Sequence, residues 1–176
     1  MSYTSVFSSL KKISATYSTR LTVIPDRDFK TGPAKGGWSY SEVYAHIFDA
    51  SMLSLDTLED CVSGKGKIRS TPLVTKLILL FGALPPGRYK TPEILAGRVK
   101  VITKEEARKM ISNFTEKLDL AYRYIDKSNP AIKTLHPRMG YLNARQWLRF
   151  IEIHLKHHLK QLKRVEKSFN FTSLRG

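Results

Sequence analysis

His154 and His158 stand four residues apart inside an apolar helical pattern. That spacing points two imidazoles the same way from adjacent turns of one helix. Imidazole is the commonest protein ligand for transition metals, and two so placed can share one ion. The only other histidine centred on an apolar helical stripe is His46. The pattern therefore predicts a triad of His46, His154 and His158 between helices. A lone buried histidine is ordinarily a hydrogen-bonded core residue, and burying two on adjacent turns is costly without a reason. It is the three together that favour a metal. Three imidazoles on a divalent ion leave positions open, as in a catalytic rather than a structural zinc site. Such an ion lowers the pKa of a bound water or thiol, or polarises a carbonyl. Nickel, iron, manganese and copper are chemically possible too, because imidazole suits several of them.

Other polar residues near these positions have plainer readings. His157 falls about 100° around the helix from His158, which suits a flank or an exposed surface position. His136 precedes a proline in a loop and reads as a surface residue able to cover the mouth of a site. Asp49 and Glu152 could orient ligands or move protons. As helix carboxylates they are read first as solvated, with Glu152 toward the polar side. No catalytic residue is assigned. Cys61 is the single cysteine, so neither an intramolecular disulfide nor a Cys-based zinc site can form. That fits a reducing cytoplasm.

Four long helical patterns must position the triad. The first carries Tyr3, Val6, Phe7, Leu10, Ile13 and Tyr17 at helical spacing. A loop with Pro25, Gly32, Pro33, Gly36 and Gly37 follows. The second opens with a capping-box pattern at Ser39 and Glu42, stapled by Trp38 and Val43. Its stripe reads Val43, His46, Ile47, Ala50, Leu53, Thr57 and Leu58. Residues 65 to about 102 form a proline-rich crossover, with a short helix expected at about 72 to 81. The third helix opens at Thr103 and Glu106, and its stripe runs from Ala107 to Ile125. A loop through His136 and Gly140 leads to the last helix, from near Asn143 to about Ser168. There Trp147, Ile151, His154, Leu155, His158, Leu162 and Val165 share about a third of the circumference. Arg145, Arg149, Lys156, Lys160, Lys163 and Lys167 fall opposite, facing away from the core. No strand-like alternation stands out. The expected fold is an all-α four-helix bundle, in which metal ligands project inward from facing helices.

The 176 residues suffice for one domain with a substantial core, and the 41% apolar and 26% charged content is that of a globular protein. No signal peptide is read at the N-terminus. The most apolar run, Leu73 to Leu84, contains Lys76 and is too short to span a bilayer, so no membrane partner is expected. The net charge of +15 permits nucleic acid, a membrane surface or anionic small molecules, and decides among none. Residues 61 to 100 carry eight Lys/Arg against one acid. Yet no helix-turn-helix, zinc-finger or RNA-binding sheet pattern accompanies them, so nucleic acid is not favoured.

Three segments together resemble the DinB-like (DinB/YfiT) metalloproteins: Trp38-Ser-Tyr-Ser-Glu-Val-Tyr-Ala-His46, His136-Pro-Arg-Met-Gly140, and Gln146-Trp147 leading to His154-Leu-Lys-His-His158-Leu-Lys-Gln161. The resemblance covers about residues 1 to 168. It implies an up-down-down-up bundle with the long crossover between the second and third long helices, and His46, His154 and His158 as the ligands. It also implies zinc or nickel as the metal. Thiol-dependent S-transferases and a mycothiol-dependent isomerase belong to that family. The expectation is one domain over residues 1–170 with a tail at 171–176. The expected function is that of a cytoplasmic metalloenzyme in which a metal-activated low-molecular-weight thiol attacks a small, anionic electrophile. A hydrolase using bound hydroxide, or a basic nucleic-acid-binding protein without catalysis, is the alternative. Arg88, Lys90 and Arg138 are candidates for binding carboxylates, beside their plain reading as solubilising charge. A homodimer through bundle faces is admissible.

Overall fold

The computed structural model describes residues 2–34, 36–85 and 99–173. Four long helices form the bundle: α1 (Tyr3–Val23), α3 (Tyr40–Val62), α5 (Lys104–Tyr124) and α6 (Ala144–Ser173). Two short helices join them, α2 (Asp26–Phe29) and α4 (Leu73–Phe81), with strands β1 (Lys67–Ile68), β2 (Ile132–His136) and β3 (Gly140–Leu142).

The helix starts follow from side chains that satisfy the first free N–H groups. Ser39 and Glu42 cap α3 reciprocally, and Thr103 and Glu106 cap α5 in the same way. At the head of α6, Asn143 and Gln146 each accept the other's backbone N–H at 3.0 Å. The last helix continues past the expected end near Ser168 to Ser173.

Side-chain pairs along the helices give their directions. Lys11 of α1 meets Asp119 of α5, and Tyr3 meets Asp126 just beyond it, while Lys104 at the start of α5 reaches Asp26 after α1. The first and third long helices are thus antiparallel. Tyr17 donates to the Leu155 carbonyl and Arg20 reaches Glu166, so α1 and α6 run parallel. Lys117 pairs with Asp56 and Glu59, and Ser41 bonds the Ile102 carbonyl, so α3 and α5 run parallel. Tyr40 stacks on Phe169 while Cys61 faces Leu142, so α3 and α6 are antiparallel. The result is up-down-down-up. Its parallel middle pair requires the long crossover that carries β1 and α4.

The core lies among the four long helices, with Leu10, Tyr17, Ile47, Phe48, Phe114, Leu118 and Leu155 fully buried. Two of its tyrosine hydroxyls are spent on backbone: Tyr17 donates to Leu155 O at 2.9 Å and Tyr44 to Tyr17 O at 2.8 Å. Leu53, read as core from its spacing, is 37% exposed.

The sheet departs from the all-helical sequence reading. β2 and β3 form a hairpin with Thr134 opposite Leu142 and His136 opposite Gly140, and β1 adds Lys67 opposite Lys133. The hairpin turns through Gly140 at φ 71°, where a Cβ would lie 2.8 Å from Pro72. It is pinned to the bundle by Thr134, whose hydroxyl accepts from Trp147 Nε1 at 2.8 Å. No helix among the described residues is long and apolar enough to cross a membrane.

Candidate metal centre

His46 sits on α3, and His154 and His158 sit one turn apart on α6. Because α3 and α6 pack antiparallel, the three rings meet between them. One ligand nitrogen from each lies within 4.8 Å of the others. The Nε2 atoms of His154 and His158 are 3.1 Å apart. His46 and His158 are each 7% exposed. The sequence-predicted triad is brought together whole.

Aromatic rings wall the site. Trp38, immediately before the cap of α3, packs 4.9 Å from the His46 ring and lies parallel to His158 at 6.4 Å. Phe150 stacks on His154 at 5.4 Å. This wall removes water from the imidazoles, and desolvation disfavours their charged form. Burial lowers the pKa of His46, with the Asp49 carboxylate partly opposing it. His154 falls well below the ordinary value through burial and then through His158 and His46. Burial, followed by His46 and His157, pushes His158 down to about 3. The triad is therefore neutral at pH 7, the form in which imidazole binds a metal.

Gln161 stands at the end of the last motif, and sequence reading assigns it no role. Its Oε1 lies 2.7 Å from His158 Nδ1. An amide oxygen only accepts, so the proton sits on Nδ1 and the Nε2 lone pair faces His154. The signal was present, since Gln161 follows His158 by three residues on the same helix.

Other candidates fall elsewhere than expected. His136 is not an open loop residue. It ends β2, its ring packs 4.4 Å from Phe150, and its Nδ1 accepts the N–H groups of Arg138 and Met139 at 3.1 and 3.0 Å. Burial, followed by the Arg138 charge, lowers its pKa to about 4. Glu152 is not solvated: it is fully buried, paired with Lys156 at 2.6 Å and with Arg149. Arg149 does not face solvent either, since its Nε donates to the Leu79 carbonyl of α4 at 3.0 Å. α4 covers the side of α6 that the helical wheel left open. His157 is half-buried at the edge, 5.3 Å from the His158 ring. Cys61 is buried beside Thr134, and burial raises its thiol pKa, which makes it a poor nucleophile. Arg138 is exposed. Arg88 and Lys90 lie outside the described residues.

Asp49 belongs to a further feature. It lines an open groove of about 340 Å³ with Lys100, Lys109 and Asn113. Its charge reaches His46, three residues earlier on α3.

Fold and site together define a four-helix bundle whose antiparallel second and last long helices hold a histidine site capable of coordinating a metal ion. The chain belongs to the DinB superfamily, whose sequence profile matches residues 10–162. No curated protein matches it in sequence. Among solved structures, it is similar to TT2238, a four-helix bundle protein, with 16% identity and TM-score 0.62 over 93% of this chain and 99% of that one. YfiT from Bacillus subtilis, described as a probable metal-dependent hydrolase with an unusual four-helix bundle topology, gives 15% identity and TM-score 0.64, covering 97% and 90%. The mycothiol-dependent maleylpyruvate isomerase gives 16% and 0.64, covering 90% of this chain and 60% of its own. At such identities the likeness is one of fold.

Proposed function

We propose that this chain is a metal-dependent enzyme acting on small anionic molecules, with His46, His154 and His158 holding one divalent ion, zinc or nickel. The observation that carries this reading is the convergence of three neutral imidazoles within 4.8 Å, two of them buried and the third, His154, partly exposed. The donor set fits such an ion, being all imidazole nitrogen and all neutral. A bound ion supplies Lewis acidity, lowering the pKa of a thiol or water that shares it.

The chain's own residues supply the rest. Gln161 fixes the His158 tautomer. Trp38 and Phe150 keep the ligand face dry. Lys100 and Lys109 in the neighbouring groove, with Arg138 near the hairpin, suit the carboxylates of a low-molecular-weight thiol or its substrate. The preferred chemistry is transfer of that thiol to a small electrophile, S-transferase-like, as the thiol dependence of the isomerase relative suggests. A hydrolase activating water at the same triad is the second reading, favoured by the description of YfiT.

The test is elemental analysis of untagged protein beside His154→Ala. Near one equivalent of zinc or nickel in the parent and little in the variant is expected. No metal in either, after soaking with both ions, would end the metalloenzyme reading. Turnover of electrophiles and esters with and without added thiol then separates the two chemistries.

A further inference from the structure

Helix α4 is amphipathic the wrong way round for a soluble domain. At 100° per residue, Leu80, Leu73, Leu77, Phe81 and Val74 occupy an arc of roughly 120°. That arc faces outward: Leu73 is 72% exposed, Val74 67%, Leu77 43%, Leu80 72% and Phe81 77%. The inward side is centred on a polar residue, Thr75, only 4% exposed.

The orientation is held by specific bonds. Thr75 Oγ1 donates to the Met139 carbonyl of the hairpin at 2.7 Å. Arg149 of α6, itself clamped by buried Glu152, donates to the Leu79 carbonyl at 3.0 Å. Ile78 and Leu79 pack on the core, and Gly82 at φ 70° closes the helix against the Arg149 guanidinium. The helix cannot roll its leucines inward without breaking these contacts. A contiguous exposed apolar face of this kind marks a contact surface.

The charge around it selects the partner. Lys76 borders the arc, and Lys65, Lys67 and Arg69 stand exposed on the segment leading to it. No acidic residue occurs between positions 61 and 85. A second copy of a +15 chain would bring two basic rims together. An anionic bilayer satisfies both features, taking apolar side chains at the acyl boundary and lysines at the headgroups. We propose that α4 docks the protein on anionic membrane surfaces, with Leu73, Leu77, Leu80 and Phe81 entering the interface. The sequence gives no expectation of a membrane partner, and peripheral docking departs from that reading.

The experiment is co-sedimentation with vesicles of phosphatidylcholine alone or mixed with phosphatidylserine, using the parent and the Leu77→Asp/Phe81→Asp double variant. Both replaced side chains are exposed, so circular dichroism and melting should match the parent. The parent is expected to pellet with the anionic vesicles and little with the neutral ones. The variant should lose about tenfold or more of that binding while keeping every basic residue. A parent that stays in solution overturns the proposal, and so does a variant that pellets equally. Sedimentation velocity showing a dimer that the variant abolishes, without vesicle binding, assigns the face to a second copy instead. Salt-sensitive retention on DNA without vesicle binding assigns the charge to nucleic acid.

Discussion

His158 donates its Nδ1 proton to the Gln161 amide oxygen across 2.7 Å, one turn further along α6. That bond decides which nitrogen carries the lone pair and aims it at His154. Gln161→Leu should therefore weaken zinc or nickel binding about ten- to a hundredfold, the usual effect of losing a ligand's hydrogen-bond partner. Gln161→Glu keeps the acceptor and should keep most of the affinity. Competition against a chromophoric chelator measures both. Unchanged affinity in the leucine variant would show that the tautomer is set elsewhere.

Stripping the proposed metal should leave the bundle folded. The core of Leu10, Tyr17, Ile47, Phe48, Phe114 and Leu118 is complete without it. An ion that binds only the native state adds stability by mass action. Chelation should lower Tm by several degrees and leave the far-UV helical signal intact. Collapse of that signal would mean a structural rather than an open site.

Glu152 joins two helices through three partners, Lys156 and Arg149 on its own α6 and Ser9 on α1. Removing one partner of a buried ion pair leaves the other charge uncompensated. Glu152→Ala should cost about 3–5 kcal/mol in urea unfolding. Lys156→Ala, whose partner keeps Arg149, should cost far less. Burial alone would raise the Glu152 pKa, but the bonds from Lys156, Ser9 and Arg149 outweigh it and hold the carboxyl below 4.5. Its contribution is thus complete above pH 4.5 and fades as the pH falls through the lowered value.

His136 gives a separate acid limb. Its Nδ1 accepts two backbone N–H groups, which a proton on that atom would displace. Its pKa falls from 6.5 to about 4. The unfolded chain then takes up a proton near pH 6.5 that the folded chain refuses until about pH 4. The stability is full above 6.5 and is lost on acidification through that window, on the order of 3 kcal/mol. His136→Asn retains a short acceptor without a titration. Its unfolding free energy should fall less steeply between pH 6.5 and 4, by about one proton's slope. Equal slopes would show that the histidine titrates normally.

Most parts of this molecule that were legible in sequence report on a single helix. Ser39 with Glu42, and Thr103 with Glu106, are local caps. The triad was legible because His154 and His158 share one helical face and only His46 had to be supplied from another. Apart from Gln161, what escaped depends on contacts between distant segments. β1 is two residues long and exists only because Lys67 and Ile68 meet Lys133 and Ile132. A wheel drawn for α6 puts Arg149 and Glu152 on its polar side correctly. It cannot know that α4 and Ser9 are laid over that side, turning a solvated pair into a buried clamp. His136 escaped for the same reason, since a His-Pro step reads as an open loop until the hairpin folds back onto Phe150.

The antiparallel pairing of α3 with α6 also sets a timetable. A chain leaves the ribosome N-terminus first. α1, α3 and α5 are all made before the helix that carries two of the three imidazoles. Until then His46 is a single weak ligand on an unfinished apolar face. Any ion the triad holds is therefore captured after translation of the last helix, from whatever metal pool the finished protein meets. A nascent chain arrested before residue 154 should retain none.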